Sequence, residues 1–456
     1  MLKLAVIGGG GARSVFLAKS LVQSAAELNI GEIVFMDSDV GGLEIYAQMA
    51  AQVARRINPS VNFRLTPDAK TAVMDADYVI TAIRVGGDEK RIQDERIALS
   101  RGVLGQETTG AAGFSYAMRS VPVLADYCKL IERFAKPGAK MFNFTNPVGV
   151  VSQALSDLGY GFSLGICDAV SGLLCDIAKL YGVSQDEVSG RCFGLNHLSF
   201  LDSVLIRGAE CLHELIEDDR LYAQTEMKYF DKALTRRMGL LLNEYLYYYL
   251  YPEIAVSNIQ NADKTRGEII RDINAGMKKE LSGMDIQNNF DGCLAVFEKW
   301  YGKREAAYMT NETGRKPHKP PFKFDIFSKD AGGYAGVALN YIKAEQSGKE
   351  TKMVLCVPNN GAIAGLQDGD VVEISCAITK SGYIPDRFSQ INDVPMELIR
   401  RVKTYERLAS KAIRTRCRDT AAECLMLHPL VNSYSLAKDL CRQYIKLNED
   451  YAGAWQ

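Results

Sequence analysis

The first forty residues constrain the fold more than any other part of the chain. A predicted strand at residues 2–8, with an apolar run at residues 4–7, leads into a four-glycine turn, an amphipathic stretch at residues 12–28, and a second apolar run at residues 33–36 that is followed by Asp37. Two apolar runs on either side of a helical pattern predict a βαβ unit. Further strands are predicted at residues 77–82, 140–144 and 163–166. This alternation predicts an α/β fold with a doubly wound parallel sheet.

The glycine turn is typical of a dinucleotide site. Its members are Gly8, Gly9, Gly10 and Gly11. Glycine lets the backbone turn tightly and approach a pyrophosphate, which the N–H groups of the following helix can bind. Asp37 ends the second predicted strand, where a carboxylate can accept hydrogen bonds from ribose hydroxyls, and Asp39 is a second candidate. These residues predict NAD rather than NADP. A glycine turn without a cofactor is the alternative reading.

Composition and charge exclude several classes of function. The net charge is -1, from 54 basic and 55 acidic side chains, which argues against charge-driven binding to nucleic acid or to a membrane surface. The sequence has no apolar run of 18 residues, so we expect no membrane span. The 11 cysteines include no C-x-x-C pair, and the first residues lack a signal-peptide layout. We therefore expect a cytoplasmic protein.

The pattern changes after residue 195. The predicted elements are helical stretches near residues 214–250 and 261–280, a strand pair within residues 352–378, and a mostly helical segment over residues 396–451. Three prolines predict a loop at residues 316–324. We predict two domains: a Rossmann-like, NAD-binding domain over residues 1–195, and a mixed α+β domain over residues 196–456 for catalysis, substrate binding and oligomerisation.

Four later residues carry chemically useful side chains. Cys167 directly follows a predicted strand, so it should lie at the carboxyl end of the sheet, where open α/β folds bind ligands. Cys167 and His197 suit a divalent transition metal, with substrate or water completing the coordination. A buried structural role is the alternative for both. Asp168 could serve as an acid or only cap a helix. Tyr245 lies in a tyrosine run of a kind more often found in a core or interface.

Taken together, these motifs resemble glycoside hydrolase family 4 over nearly the whole chain. The matching segments are Arg84-Val85-Gly86-Gly87, Gly105-Gln106-Glu107-Thr108-Thr109-Gly110, Thr145-Asn146-Pro147, Gly165-Ile166-Cys167-Asp168, Gly194-Leu195-Asn196-His197, Tyr245-Leu246, Val357-Pro358-Asn359-Asn360-Gly361 and His428-Pro429-Leu430-Val431. The resemblance implies a fold similar to lactate and malate dehydrogenases. It also implies dependence on NAD and on Mn²⁺ or another divalent metal, and a homodimer or homotetramer.

The resemblance further implies hydrolysis by redox elimination, which does not use the usual pair of carboxylates. C3 of the sugar is oxidised by NAD, C2 is deprotonated, the group on C1 leaves, water adds, and C3 is reduced again. By analogy, Cys167 and His197 hold the metal, and Tyr245 removes the C2 proton. Asp168 protonates the leaving oxygen, and Glu107 tunes that acid.

The implied substrate is a phosphorylated disaccharide. An aspartate after the metal-binding cysteine, as at Asp168, resembles the 6-phospho-α-glucosidases, whereas asparagine there resembles the 6-phospho-β-glucosidases. By the same analogy, Arg91 and Arg266 bind the 6-phosphate and Asn146 contacts the sugar, and guanidinium groups suit phosphate through bidentate hydrogen bonds. The alternatives are a 6-phospho-β-glucosidase, a 2-hydroxyacid dehydrogenase, and a non-catalytic regulator that binds NAD or a sugar phosphate.

Overall fold

The structure is a computed structural model that describes residues 1–315, 322–329 and 334–456. Residues 316–321 of the predicted proline-containing loop therefore lie outside the described residues. Contacts divide the chain into two compact units. The first unit comprises Met1–Glu107, Pro122–Thr145 and Glu253–Asp330, and the second comprises Thr108–Val121, Asn146–Pro252 and Ala331–Gln456. The predicted domain boundary at residue 195 stays a prediction.

A parallel sheet forms the centre of the first unit. Its strands are β1 (Leu2–Ile7), β2 (Ile30–Met36), β3 (Asn62–Thr66), β4 (Tyr78–Thr81) and β5 (Lys140–Asn143). They lie in the order β3-β2-β1-β4-β5, and every pair is parallel. This order, which reverses direction beside β1, confirms the predicted doubly wound sheet. Strand β3 was not predicted, because as a partly exposed edge strand it carries polar residues in place of an apolar run.

The first unit also contains helices. Their bounds are Ser14–Gln23, Val40–Gly42 continuing through the π-turn Leu43–Ala47 into Gln48–Ile57, Ala69–Val73, Gly87–Leu99, Arg266–Leu281, Phe290–Ala306 and Thr310–Thr313. Two further helices, Gly110–Phe134 and Pro252–Gln260, have residues in both units. The predicted helix at 261–280 begins at Arg266 because Thr265 and Glu268 form a reciprocal capping box. Val15, Met49, Met277 and Phe297 belong to one buried apolar cluster that joins these helices.

The second unit contains strands of two sheets. Their bounds are β6 (Ser163–Gly165), β7 (Val188–Leu195), β8 (Leu198–Ile206), β9 (Ala209–Glu210), β10 (Leu241–Leu242), β11 (Thr351–Pro358), β12 (Val371–Thr379) and β13 (Gly382–Pro385). Strands β11 and β12 pair antiparallel and confirm the strand pair predicted within residues 352–378. Strand β11 also pairs with β6, and β12 with β13. Strands β7 and β8, which were not predicted, form a hairpin that also pairs with β9 and β10.

The prediction of one long helical stretch over residues 214–250 was wrong. The segment contains the short helices Leu212–Glu217, Asp219–Gln224, Lys232–Met238 and Tyr247–Leu250, together with β10. Side chains of Asp218 and Asp231 accept hydrogen bonds from the first turns of two of these helices, and Gly239 ends one of them at φ 64°. Each cap restarts the helix and so overrides the apolar periodicity.

The second unit contains further helices of its own. They are Val148–Asp157, Ala169–Tyr181, Tyr334–Ser347, Asp393–Thr415, Arg418–Leu427, Tyr434–Leu447 and Glu449–Ala452. The last four confirm the mostly helical segment predicted over residues 396–451. Within the described part of the chain, no helix is both long enough and apolar enough to cross a membrane.

Candidate active site

The glycine turn between β1 and the first helix is crowded by its neighbours. A Cβ on Gly8, whose φ is +98°, would lie 2.4 Å from the carbonyl oxygen of Ala82. A Cβ on Gly10 would lie 2.9 Å from the Cβ of Asp37. Gly11, by contrast, has open space around it, with the Gly8 oxygen 4.0 Å away. The first three glycines are therefore required by packing, and the turn leaves room for a ligand at its end.

Asp37 holds this turn in place. One carboxylate oxygen accepts a hydrogen bond from the N–H of Gly10 at 2.8 Å, and the other accepts one from the N–H of Asp39 at 2.9 Å. Burial raises the pKa of Asp37, and these backbone hydrogen bonds oppose the rise. The side chain of Asp39 is 61% exposed and lies 3.5 Å from Lys278 Nζ. Asp39 is thus the more accessible of the two predicted ribose acceptors.

Arg91 and Glu107 lie in a buried ion-pair network of the first unit. The Nε of Arg91 donates to Glu95 at 2.8 Å, and its Nη1 lies 3.3 Å from Glu107. Arg84 also pairs with Glu107, and the N–H of Gly267 donates to Glu95 at 2.8 Å. Burial alone would raise the pKa of Glu107, but the charges of Arg84 and Arg91 hold it well below its usual range. Glu107 is therefore ionised, and much of the hydrogen-bonding capacity of Arg91 is already used.

Positive charge is in excess around Arg266. Its Nη2 donates to the carbonyl oxygen of Arg304 at 3.2 Å. Burial, together with the charges of Arg13, Arg266 and Arg84, lowers the pKa of Arg304 to about 10. The nearby carboxyl group of Glu312 has a raised pKa because it is buried. A group of guanidiniums that destabilise one another's charge would be stabilised by an anion, and this fits a phosphate group.

Cys167 and His197, thirty residues apart in sequence, lie side by side in the second unit. The Sγ of Cys167 is 3.6 Å from the Nε2 of His197. A thiolate at about 2.3 Å and an imidazole at about 2.1 Å from one tetrahedral ion are also separated by about 3.6 Å. Within residues 1–315, 322–329 and 334–456, no group of three or more His, Cys, Asp or Glu side chains could hold a metal. A cation at Cys167 and His197 would therefore need substrate or water to complete its coordination.

The β7–β8 hairpin determines the position of His197. Its loop consists of Asn196 and His197 alone, because Leu195 pairs directly with Leu198. His197 has φ 63°, a left-handed conformation that is rare for residues other than glycine, and it is 4% exposed. The conformation directs the imidazole towards Cys167. Backbone strain of this kind is often found at functional sites.

Tyr245 stacks on His197. The two rings have centroids 3.7 Å apart and planes inclined by 9°. The N–H of Tyr245 donates to Asn243 Oδ1 at 3.0 Å, which fixes the start of the tyrosine run. Tyr245 is only partly buried and stacks on His197, whereas Tyr247 and Tyr248 are buried.

Asp168 and Asn146 also belong to the second unit. Asp168 occupies the N-cap of the helix Ala169–Tyr181, but its side chain makes no capping hydrogen bond, so capping does not explain the carboxylate. Asn146 precedes a cis Pro147, and its buried Oδ1 accepts no hydrogen bond from the residues that the structure describes. A buried acceptor of this kind suits a ligand hydroxyl.

The Cys167 thiol lies in an environment that disfavours its ionisation. Burial raises the pKa of Cys167 well above its usual value, and the carboxylates of Glu373 and Asp168 raise it further. Hydrogen bonds from the Ala169 backbone and the Asn196 side chain partly oppose the rise. A bound divalent cation would favour the thiolate strongly, so this environment is compatible with a metal ligand.

Sequence reasoning missed two residues near these sites. Arg304 lies in a charged helix segment that reads as solvent-exposed, and nothing local marks it. Glu373 is 1% exposed in β12 and interacts with Cys167. A signal for Glu373 was present, because it is the one charged residue in the apolar run 371–378.

Relatives of this chain are curated glucosidases. The 6-phospho-beta-glucosidase BglT of Thermotoga maritima is 28% identical over 453 residues, which cover 99% of each chain. The 6-phospho-alpha-glucosidase of Leptotrichia buccalis is 26% identical, with 98% of each chain covered. A structure of the Thermotoga maritima 6-phospho-beta glucosidase with manganese, NAD+ and glucose-6-phosphate superposes with a TM-score of 0.80, at 26% identity and 99% coverage of both chains.

The fold is also similar to that of a dehydrogenase. Lactate dehydrogenase from Eimeria maxima superposes with a TM-score of 0.50 at 14% identity, with 91% of this chain and 97% of that chain covered. This confirms the predicted dehydrogenase-like fold, and at this identity it shows the fold alone.

Two family models match most of the chain. One, described as family 4 glycosyl hydrolase, matches residues 3–183. The other, described as family 4 glycosyl hydrolase C-terminal domain, matches residues 192–431. The chain belongs to glycoside hydrolase family 4.

Proposed function

We propose that the protein hydrolyses 6-phosphoglucosides in a reaction that depends on NAD and a divalent metal, with manganese as the first candidate. The observation that carries this proposal is the grouping of the Cys167 thiol, the His197 imidazole and the Tyr245 ring within one small region. Family membership supports it, as do the NAD, manganese and glucose-6-phosphate in the related Thermotoga structure.

The chain would supply a binding residue for each component. The glycine turn and Asp39 would bind NAD, and Cys167 and His197 would hold the cation. When bound, NAD supplies a reversible hydride acceptor for C3, and the cation supplies positive charge against the developing enediolate. The excess of guanidinium groups around Arg266 and Arg304 supports binding of the 6-phosphate.

Tyr245 and Asp168 would move the protons. A tyrosine acts as a base in its phenolate form, and nearby positive charge favours that form. Tyr245, stacked on the imidazole of a metal ligand, would remove the proton from C2. Asp168, whose carboxylate does not cap its helix, would protonate the departing glycosidic oxygen.

We propose an α-linked substrate, because Asp168 follows Cys167 directly. The alternative, a 6-phospho-β-glucosidase, is supported by the slightly higher identity to the Thermotoga maritima 6-phospho-beta-glucosidase, at 28%, than to the Leptotrichia buccalis 6-phospho-alpha-glucosidase, at 26%. So small a difference in identity does not decide between the two anomers, and the proposal therefore follows the aspartate after Cys167, in which the chain resembles the 6-phospho-α-glucosidases.

Hydrolysis of p-nitrophenyl 6-phospho-α-glucoside and its β anomer tests the proposal. Each would be assayed under reducing conditions with NAD and Mn²⁺, and with each omitted in turn. Cleavage of the α compound only when both are present is the expected result. Preferential cleavage of the β compound would overturn the proposed α specificity but would keep the proposed NAD- and metal-dependent hydrolysis.

Unphosphorylated glucosides serve as the matched control for the phosphate. Equal cleavage with and without the 6-phosphate would contradict a role for the arginine cluster. If neither anomer is cleaved and a 2-hydroxy acid gives net NADH, the glycosidase proposal fails in favour of a dehydrogenase.

A further inference from the structure

Strand β12 contains one carboxylate in an otherwise apolar run. Glu373 is 1% exposed, and its neighbours Val372 and Ile374 are completely buried. Burial of a carboxylate is costly unless hydrogen bonds compensate for the lost water. Glu373 must therefore make hydrogen bonds that compensate for the free energy of burying its carboxylate.

The hydrogen bonds of Glu373 go to the turn that carries His197. Its Oε2 accepts from Asn196 Nδ2 at 2.8 Å, and its Oε1 accepts from Ser199 Oγ at 2.7 Å. Asn196 immediately precedes His197, and Ser199 follows it by two residues. One buried carboxylate thus holds the hairpin on both sides of His197, which lies there in a left-handed conformation. The Cys356 thiol, 3.6 Å from Oε2, is a third donor.

The Ser199 side of this network continues to Tyr245. Ser199 Oγ also accepts from Asn243 Nδ2 at 3.1 Å, and the N–H of Asn243 donates to the carbonyl oxygen of Ser199 at 3.1 Å. The Oδ1 of Asn243 then accepts from the N–H of Tyr245 at 3.0 Å. Hydrogen bonds therefore connect Glu373 with the residues that flank His197 and, through Ser199 and Asn243, with the backbone N–H of Tyr245.

We infer that Glu373 is a positioning residue that holds the His197 turn against Cys167 and aligns Tyr245 with it. The role in turnover rests on the proposed function, whereas the effect on cation binding does not depend on which substrate is used. Residues that orient metal ligands typically contribute between 10- and 100-fold to metal affinity or activity.

The test is Glu373→Gln in the full-length protein. The amide keeps the size of the side chain but replaces one acceptor oxygen with an N–H donor, so the hydrogen bond from Asn196 Nδ2 is lost or the one from Ser199 Oγ is reversed. Binding of Mn²⁺ is measured from the loss of the free-ion electron paramagnetic resonance signal, without substrate. We expect the Mn²⁺ dissociation constant to rise by about tenfold or more and kcat to fall by a similar factor.

Asp370→Asn is the matched control. Asp370 is also 1% exposed, lies just before β12, and accepts a hydrogen bond from the N–H of Gln367 at 2.9 Å. It bonds to Arg407 and not to the hairpin. This variant also loses a buried carboxylate, but it should bind Mn²⁺ with the affinity of the wild type. Weaker Mn²⁺ binding in Glu373→Gln alone would then reflect positioning of His197 and not a general loss of structure.

Ser199→Ala tests the second side of the network and replaces Glu373→Gln if that variant does not fold. It should lower kcat by about tenfold at unchanged KM, because Tyr245 loses its alignment while the substrate contacts remain. The inference is overturned if folded Glu373→Gln has the Mn²⁺ affinity and the kcat of the wild type. The same outcome in Ser199→Ala overturns it where Glu373→Gln does not fold. The inference also fails if the wild-type protein itself binds no Mn²⁺. Weakened Mn²⁺ binding in a protein whose wild type cleaves neither phosphoglucoside would support the inference and refute the proposed function.

Discussion

His428 should make the second unit less stable in mild acid. The side chain is completely buried; its Nδ1 accepts from the N–H of Leu430 at 3.2 Å, and its Nε2 lies 3.3 Å from Thr109 Oγ1. Burial, together with the charge of Arg401, lowers the pKa of His428 to about 3. In the unfolded chain a histidine has a pKa of about 6.5. The unfolded state therefore takes up a proton first as the pH falls.

The size of this effect follows from the two pKa values. The contribution of His428 is complete above about pH 6.5 and is lost progressively as the pH falls towards 3. Each pKa unit corresponds to about 1.4 kcal/mol, so about 2 kcal/mol is lost between pH 7.5 and pH 5. Buried carboxyl groups with raised pKa values, such as Glu373 and Glu406, contribute with the opposite sign.

Urea unfolding of the wild type and of His428→Gln at both pH values isolates the contribution. A Trp300→Phe background leaves Trp455 as the fluorescent reporter, and Trp455 lies in the same unit as His428. His428→Gln should be less stable at pH 7.5, but its free energy of unfolding should fall by about 2 kcal/mol less on going to pH 5. Equal pH dependence in the two proteins would refute the reasoning, because the carboxyl groups are common to both.

Three further predictions concern the site. Tyr245→Phe keeps the aromatic ring on His197 but removes the hydroxyl. It should lower kcat by a factor of about 10²–10⁴ and stop exchange of the C2 hydrogen of the sugar with D₂O. Full turnover in this variant would exclude Tyr245 as the base. Gly8→Ala places a Cβ 2.4 Å from the Ala82 oxygen, so the affinity for NADH, measured from NADH fluorescence, should fall by about tenfold or more. Unchanged affinity would contradict a role of the glycine turn in NAD binding. Cys167→Ser removes a proposed ligand, so Mn²⁺-dependent activity should fall by more than the roughly 10–100-fold that is typical of losing a residue that only orients a ligand. Full activity after metal is stripped and returned would exclude Cys167 as a ligand.

The elements that the sequence predicted well are those specified by local patterns. Strands β1 and β2 each end in four consecutive apolar residues, and the glycine turn after β1 allows little besides a tight connection to the first helix. The segment 214–250 was misread because apolar spacing gives no weight to single caps such as Asp231, which begin and end short helices. Periodicity reports the buried face of a segment, whereas a cap determines where the helix starts.

The site was predicted less from spacing than from resemblance. Nothing in a thirty-residue separation indicates that Cys167 and His197 should meet, and each has a common structural explanation by itself. The structure brings their donor atoms to 3.6 Å and places the Tyr245 ring on the same imidazole. Three residues that are individually unremarkable become chemically specific only when their positions are known together.

Glu373 shows where prediction from a sequence ends. A carboxylate in an apolar strand must find hydrogen-bond donors, because the cost of burying it without them is several kcal/mol. The sequence therefore predicts that partners exist. Those partners, Asn196 and Ser199, lie more than 170 residues earlier in the chain, and no local pattern selects them. These two partners flank the turn that carries His197. The buried carboxylate of Glu373, which is unfavourable for β12 by itself, is therefore explained by the hydrogen bonds with which it positions that turn.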